Sequence, residues 1–450
     1  MDRNPDDTTI RPARKRWGRL SLLAGSRGGA VAVQFLVQLL VGSSLGAAAL
    51  GALQLMMTWT CIVGEFLAQG LPTQAMKLVS VADAEGNTVG IRRWLANSGR
   101  RILLLWAVFG IATMGVLAIP GKDWAEWMIA DYAGLALAVF LAAPCFALLR
   151  LYVEAMKARS LVLHSVILES LVPPLALLLT CLLVPSLQIE LSTGVLLGIY
   201  VLTIAVLVVL SRHAAQANTG VCASGATRAI HGQASERRFF WGSALLSISF
   251  VHFPFLVLPL FASVDIVGVF ALAFKLINVI TTLLLLLAAV FGPAFARAAE
   301  SGASDNMARL LLRSQLLSTG IYLPCIAILL LSAPLLTDIF PGDFSELQLF
   351  MLLLAAGHLV NAATGLPGLL LNMAGQARAE FMTVLFTLLA GLPLTGWLGH
   401  AYGAAGVALA FSVMVATKNL ASYLLARRLL QGFKKTEPRL LGLETNGVAT

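Results

Sequence analysis

Apolar residues along this chain run in continuous blocks rather than alternating with polar ones. Each block is about the 20 residues that carry an α-helix across a hydrocarbon core roughly 30 Å thick. The blocks fall at 19–43, 49–76, 102–120, 131–150, 160–184, 192–211, 239–262, 265–296, 310–334, 346–372, 379–398 and 402–426. The pattern predicts an all-α polytopic membrane protein of about twelve transmembrane helices. Continuous apolarity argues against strands, which would alternate between lipid and lumen.

The polar interruptions divide the blocks. The longest between spans, "SRHAAQANTGVCASGATRAIHGQASERR", is rich in Ala, Ser, Gly and Thr and reads as a flexible linker over 212–238. It separates an N-terminal lobe of six helices (19–211) from a C-terminal lobe of six (239–430), with tails at 1–18 and 431–450. The lobes share short similarities: "MKARSLVLHSVI" from Met156 with "GQARAEFMTVLF" from Gly375, "TGVLLGIY" from Thr193 with "AGVALAFS" from Ala405, and Pro72 with Pro293. Six is even, so both lobes enter from the same side. This parallel repeat predicts a central cavity between the lobes near the midplane.

Composition agrees, with 58% hydrophobic and only 12% charged residues, where soluble domains carry about 25% charged. The net charge of +9 is an orientation signal. Of 31 basic residues, 27 fall in the two tails and alternate connections, among them Arg3, Arg11, Arg92, Arg93, Arg100, Arg101, Arg150, Lys157, Arg159, Arg228 and Arg378. The opposite connections hold Lys122 beside Asp123, Glu126, Asp338, Asp343 and Glu346. By the positive-inside rule both termini are cytoplasmic, and no nucleic-acid partner is implied. The first 18 residues are polar and the first apolar block is a full span, which is not the pattern of a cleaved signal peptide. Five scattered cysteines, Cys61, Cys145, Cys181, Cys222 and Cys325, support neither a disulfide framework nor a metal site.

Against this background, charges within the spans carry information. Arg27, Lys275 and Lys418 are cations in apolar blocks, and Glu65 and Glu169 are acids. A central Lys, Arg or Asp costs about 2.5–3.5 kcal/mol on insertion scales, so each should face the protein interior or a wet cavity. Lys275 is roughly 15 Å from Asp265 at the outer end of its helix, too deep to reach water easily. Arg27 and Lys418 lie nearer a helix end, where snorkelling competes. Polar residues recur at helical spacing: Lys275, Asn278 and Thr282; Arg27, Gln34 and Gln38; Thr58, Cys61, Glu65 and Gln69; His358 and Asn361; Lys418 and Ser422. Such stripes fit a shared polar interior. They fit equally the hydrogen bonds that join helices, and for Lys275 a structural ion pair is the competing reading. Glu65 and Glu169 read as partners of these cations, with ion coupling as the alternative.

No nucleotide-binding loop, HExxH, GxSxG or sizeable soluble domain is present. This excludes ATP hydrolysis and covalent catalysis as expectations, and no cofactor is implied. The segments "SLGAAALGALQLMMTWTCIVGEFLAQGLPTQAMKLVS" and "LLLNMAGQARAEF", with Leu45-Gly46, Leu50-Gly51 and Gly70-Leu71-Pro72 within the first, resemble the polysaccharide flippases of the multidrug/oligosaccharidyl-lipid/polysaccharide exporter (MOP) superfamily, nearest the O-antigen (Wzx-type) members.

That resemblance implies a bacterial inner-membrane protein that flips a polyprenyl-pyrophosphate-linked oligosaccharide, for O-antigen, capsule or exopolysaccharide, by alternating access. It implies membrane lipids as surroundings and a polysaccharide polymerase and glycosyltransferases as pathway partners. Arg27, Lys275 and Lys418 would then be pyrophosphate counter-ions, with Gln34, Gln38, Asn278, His358 and Asn361 facing sugar hydroxyls. The competing expectations are a cation-coupled multidrug antiporter of the same superfamily, a flippase for lipid-linked peptidoglycan precursors, and a membrane glycosyltransferase or polymerase.

Overall fold

The computed structural model describes residues 13–117, 123–217, 234–301, 303–339 and 344–444, with side chains described except at 13–24, 114–117, 123–132, 282–286, 289, 338–339 and 432–444. Arg3, Arg11, Lys122, Cys222, Arg228 and Asp343 lie outside the described residues, as do the side chains of Asp123, Glu126, Thr282 and Asp338. All the regular structure described is helical: α1 Ala13–Ala68, α2 Leu71–Ala84, α3 Thr88–Leu117, α4 Asp123–Ala158, α5 Val162–Val166, α6 Val172–Ser186, α7 Thr193–Gln216, α8 Ala234–Val257, α9 Val264–Glu300, α10 Ser304–Ile339, α11 Leu347–Thr364, α12 Pro367–Met373 and α13 Ala377–Glu444. A π-helical turn, Ile167–Leu171, joins α5 to α6, and a 3₁₀ turn follows α8.

Ten helices among the described residues are long and apolar enough to cross a membrane. Two of them, Gly25–Ala68 and Ala377–Gln431, have 44 and 55 residues and are broken by non-helical glycines, Gly46 and Gly403. Each is long enough for two crossings of about 20 residues, so the helices account for the twelve apolar blocks. Outer faces are apolar as lipid requires: α10 exposes Leu312, Leu316, Ile328, Leu331 and Leu335, side chains that water would not tolerate in one stripe.

Several boundaries differ from the sequence pattern. The second block does not run to 76. Gln69 and Gly70 adopt positive φ, and α2 begins at Leu71 with Pro72 in its first turn. The same tripeptide recurs at Gly365-Leu366-Pro367, where Gly365 has φ 75° and α12 starts at Pro367. In both places glycine takes a backbone conformation that other residues adopt at a cost, and proline's missing N–H falls where a helix start leaves it unneeded. Pro293 is different, because it stays inside α9, so it is not the structural counterpart of Pro72. The polar segment 212–238 is helical at its ends, through Gln216 and from Ala234. The basic tails are partly helical as well, from Ala13 and to Glu444.

The described chain forms two compact units. The first comprises residues 1–40 and 59–245, the second residues 41–58 and 246–450. In the first unit, α4 packs on α2 and α7 around a core of Leu67, Leu71, Val79, Ile91, Leu95, Leu151 and Met156. The start of α8 belongs here: a Cβ on Gly70 would lie 2.5 Å from the Arg237 carbonyl oxygen. Lys77 of α2 pairs with Glu236 of α8 at 2.5 Å. In the second unit, α11 packs on α9, α10 and α13, with Phe291, Phe295, Leu311, Leu370 and Leu430 in the core.

Residues 41–58 join the second unit through small residues. A Cβ on Gly51 would overlap the Val264 carbonyl oxygen, and one on Gly268 would overlap that of Ala47. The α1 backbone therefore touches the α9 backbone directly, the close crossing that glycine permits in membranes.

Candidate functional site

In the second unit, Lys275 lies eleven residues into α9, roughly 16 Å from its first residue, and is half-buried. Lys275 and Asn278, one turn on, both engage neighbouring groups. A polar chain stands close by. Gln54 Nε2 donates to Thr58 Oγ1 at 3.3 Å, and Thr58 Oγ1 meets His252 Nδ1 at 3.1 Å. The charge of Lys275 acts on the His252 ring. Aromatic rings wall this region: Phe255 packs edge-on against Phe270 and Phe274, and Phe274 lies 5.8 Å from Phe411. Hydroxyl, amide and imidazole groups thus share one partly apolar environment, where charge–dipole interactions are stronger than in water.

His358 contributes from α11. Its Nδ1 lies 3.4 Å from Thr281 Oγ1, while its buried Nε2 has no hydrogen-bond partner among the described residues. Asn361 is half-buried one turn further along α11. Thr281 and His358 tie α9 to α11, the interhelical bonding that competes with a cavity role for such residues.

Lys418 is engaged elsewhere. Its Nζ pairs with Glu380 Oε1 at 2.6 Å, and Ser422 Oγ donates to Glu380 Oε2 at 2.7 Å. Both charged side chains are largely buried, at 19% and 12% exposure. Breaking such a pair from one side leaves an uncompensated charge, a cost of about 3–5 kcal/mol. Glu380→Ala and Lys418→Ala are each expected to lower the Tm of the detergent-solubilised protein strongly. The double variant Lys418→Met/Glu380→Leu should recover most of the loss, which thermal unfolding of the four proteins checks.

In the first unit, Glu169 does not pair with any of the three in-span cations. It sits in the π-helical turn and binds Arg150 Nη1 through Oε1 at 2.9 Å and Lys157 Nζ through Oε2 at 3.0 Å. Glu154 completes the network, 2.8 Å from Lys157. The reason is local: α4 runs on to Ala158, so Arg150 and Lys157 project from one helix instead of a loop, and Ser160 at φ 62° turns the chain back. The extra residue of a π turn alters the direction of side chains around it, and such turns are frequent at functional sites.

Glu65 is 3% exposed. Arg150 and Glu154 are the charges it senses, and no hydrogen bond or ion pair engages it among the described residues. Arg27 is exposed on α1, Gln34 half-buried and Gln38 buried with Oε1 unpartnered among the described residues. Gln69 leaves the Thr58–Glu65 stripe, because it lies in the turn after α1.

Sequence reasoning missed His252, Glu380 and the Arg150–Lys157 grip on Glu169. His252 was a lone histidine in an apolar block, and its only signal was the i, i+4 pair Gln54 and Thr58 on another helix. Arg150 and Lys157 were absorbed by the charge asymmetry that orients the chain.

Comparison with known proteins concerns the fold. No protein-family model and no curated protein matches the sequence. Among solved structures, the chain is similar to an inward-facing multidrug resistance MATE family transporter of the MOP superfamily, at 16% identity and TM-score 0.68, covering 90% of this chain and 96% of that one. It is similar to the lipid II flippase MurJ in an inward closed conformation, at 10% identity and TM-score 0.59, covering 96% and 94%. A MOP superfamily transporter from Pyrococcus furiosus, described as having a binding pocket of reverse polarity that suggests a different function, aligns at 12% identity and TM-score 0.56 over 92% and 96%. The chain therefore has the fold of MOP superfamily transporters.

Proposed function

We propose that this protein is a flippase for a polyprenyl-pyrophosphate-linked oligosaccharide, moving it across the bacterial inner membrane by alternating access with both termini cytoplasmic. The observation that carries the reading is the depth of Lys275, a cation about 16 Å into an apolar helix, whose neighbour Phe274 packs on Phe255 of the helix that bears His252. An organic cation is repelled by such a site, whereas a diphosphate is attracted to it. Lysine suits a ligand that must be released, because it holds phosphate as a point charge without the bidentate grip of arginine. The similarly folded MurJ is by its name a flippase for lipid II. An inside-negative potential favours outward movement of the headgroup by about 2.3 kcal/mol per charge per 100 mV. Turnover then needs no nucleotide. Polymerase and glycosyltransferases of the same pathway are the proposed partners.

A second reading, a cation-coupled multidrug antiporter, draws on Glu65, a buried carboxyl without an ion pair among the described residues, and on the MATE fold. Proteoliposomes separate the two. Flipping of a fluorescent polyprenyl-pyrophosphate oligosaccharide, accelerated by an imposed potential, is the expected result. Proton-driven exchange of organic cations without lipid flipping would instead establish the antiporter. Under the flippase reading, Glu65→Gln should leave lipid flipping within about threefold of wild type, since charge neutralisation there removes no anion contact; under the antiporter reading it should uncouple exchange from the proton gradient.

A further inference from the structure

Gln54, Thr58 and His252 form a chain of polar contacts. Gln54 Nε2 donates to Thr58 Oγ1 at 3.3 Å. In the tautomer that accepts at Nδ1, His252 takes the hydroxyl hydrogen of Thr58 across 3.1 Å, and every hydrogen of the chain then has an acceptor. A neutral imidazole that accepts at Nδ1 carries its one N–H at Nε2. His252 is half-buried, and no hydrogen bond engages its Nε2 among the described residues. Lys275 follows Phe274 on the next helix, and the Phe274 ring packs 5.1 Å from that of Phe255, one turn along α8 from His252. The residues that fix the ring come from segment 41–58, which the glycine crossing locks to α9. A donor of set tautomer and a cation are thereby held on a common rigid base.

We infer that His252 is a second binding residue for the anionic group held by Lys275, offering Nε2–H as a neutral hydrogen-bond donor, with Thr58 and Gln54 as positioning residues. The inference rests on the flippase reading and assigns its headgroup site a second contact. An ammonium attracts phosphate from any direction. A donor of fixed direction on a separate helix adds orientation without adding charge, which keeps the anion from being held too tightly for release.

The test uses full-length protein in nanodiscs with ¹⁵N-labelled histidine, and polyprenyl pyrophosphate as probe against the uncharged polyprenol. The resonance lost in His252→Gln is expected to report the Nε2–H tautomer and to shift with the pyrophosphate lipid alone. Thr58→Ser should keep that tautomer, while Thr58→Val should lose it and weaken binding. His252→Ala should weaken binding tenfold or more, roughly what one hydrogen bond to a charged group supplies, and His252→Gln, which keeps a donor, should lose less. A resting Nδ1–H tautomer would overturn the inference. Wild-type affinity in His252→Ala would do so too, and if Lys275→Ala binds poorly in the same assay the flippase reading survives alone. If wild type does not bind the pyrophosphate lipid in preference to the alcohol, both fall. Should His252→Ala misfold, the Thr58→Ser and Thr58→Val pair decides.

Discussion

Replacing Lys275 with alanine is expected, on the proposed flippase function, to lower the flipping rate of a pyrophosphate-linked oligosaccharide by roughly 30-fold or more. Truncating one partner of a desolvated, hydrogen-bonded charge pair costs about 2–5 kcal/mol, and each 1.4 kcal/mol is a factor of ten. Lys275→Arg should keep part of the activity, because the charge remains, but with slower turnover, because the guanidinium fork holds phosphate in a more rigid geometry. Lys275→Met should be as inactive as alanine, because it keeps the length of the side chain on α9 and removes its charge. Flipping in proteoliposomes at matched protein levels checks both variants. Wild-type flipping in Lys275→Met would show that the lysine plays no part in transport.

The second large effect is on folding. Gly268→Ala would set a methyl group against the Ala47 carbonyl oxygen, and Gly51→Ala one against that of Val264. Overpacking typically costs about 1–3 kcal/mol, occasionally more, and here the obstacle is backbone on both sides, which cannot rotate away. Each variant is expected to fall at or beyond the top of that range and to be poorly recovered from membranes as monodisperse protein. Gly320→Ala is the matched control in the same unit. Nothing lies within 4 Å of its added Cβ, and alanine gains about 1 kcal/mol of helix propensity, so its Tm should hold or rise. Comparable Tm values for Gly268→Ala and Gly320→Ala would mean that the two helices are not in contact through this crossing.

Much of this architecture is legible in the pattern of apolar residues, because crossing lipid imposes a length and a composition on each helix. Lys275 stands out for the same reason: a single charge in an apolar run is a local anomaly. Contacts between distant segments leave no such trace. Glu169 is as conspicuous in its block as Lys275, but its partners Arg150 and Lys157 lie where hydropathy falls, and nothing local says that α4 continues through them. Lys418 is found equally easily, and the sequence is silent on Glu380, which sits just past a turn and reads as one charge among several at a helix start. The glycine crossing is the least visible of all. Gly51 and Gly268 are two of 39 glycines, and only their mutual approach distinguishes them.

The division of the chain into units also sets a timetable. Segment 41–58 belongs with residues from 246 onward, so its docking partner is made about 200 residues later. At about 5–20 residues per second that is a wait of roughly 10–40 s. During synthesis the face bearing Gly51 must stand in the bilayer with its groove unfilled, open to other helices or to an insertion chaperone. A C-terminal fragment begun at the central linker would lack this segment altogether. The two halves could therefore be reassembled from separate genes only if the N-terminal one lent residues 41–58 across the break.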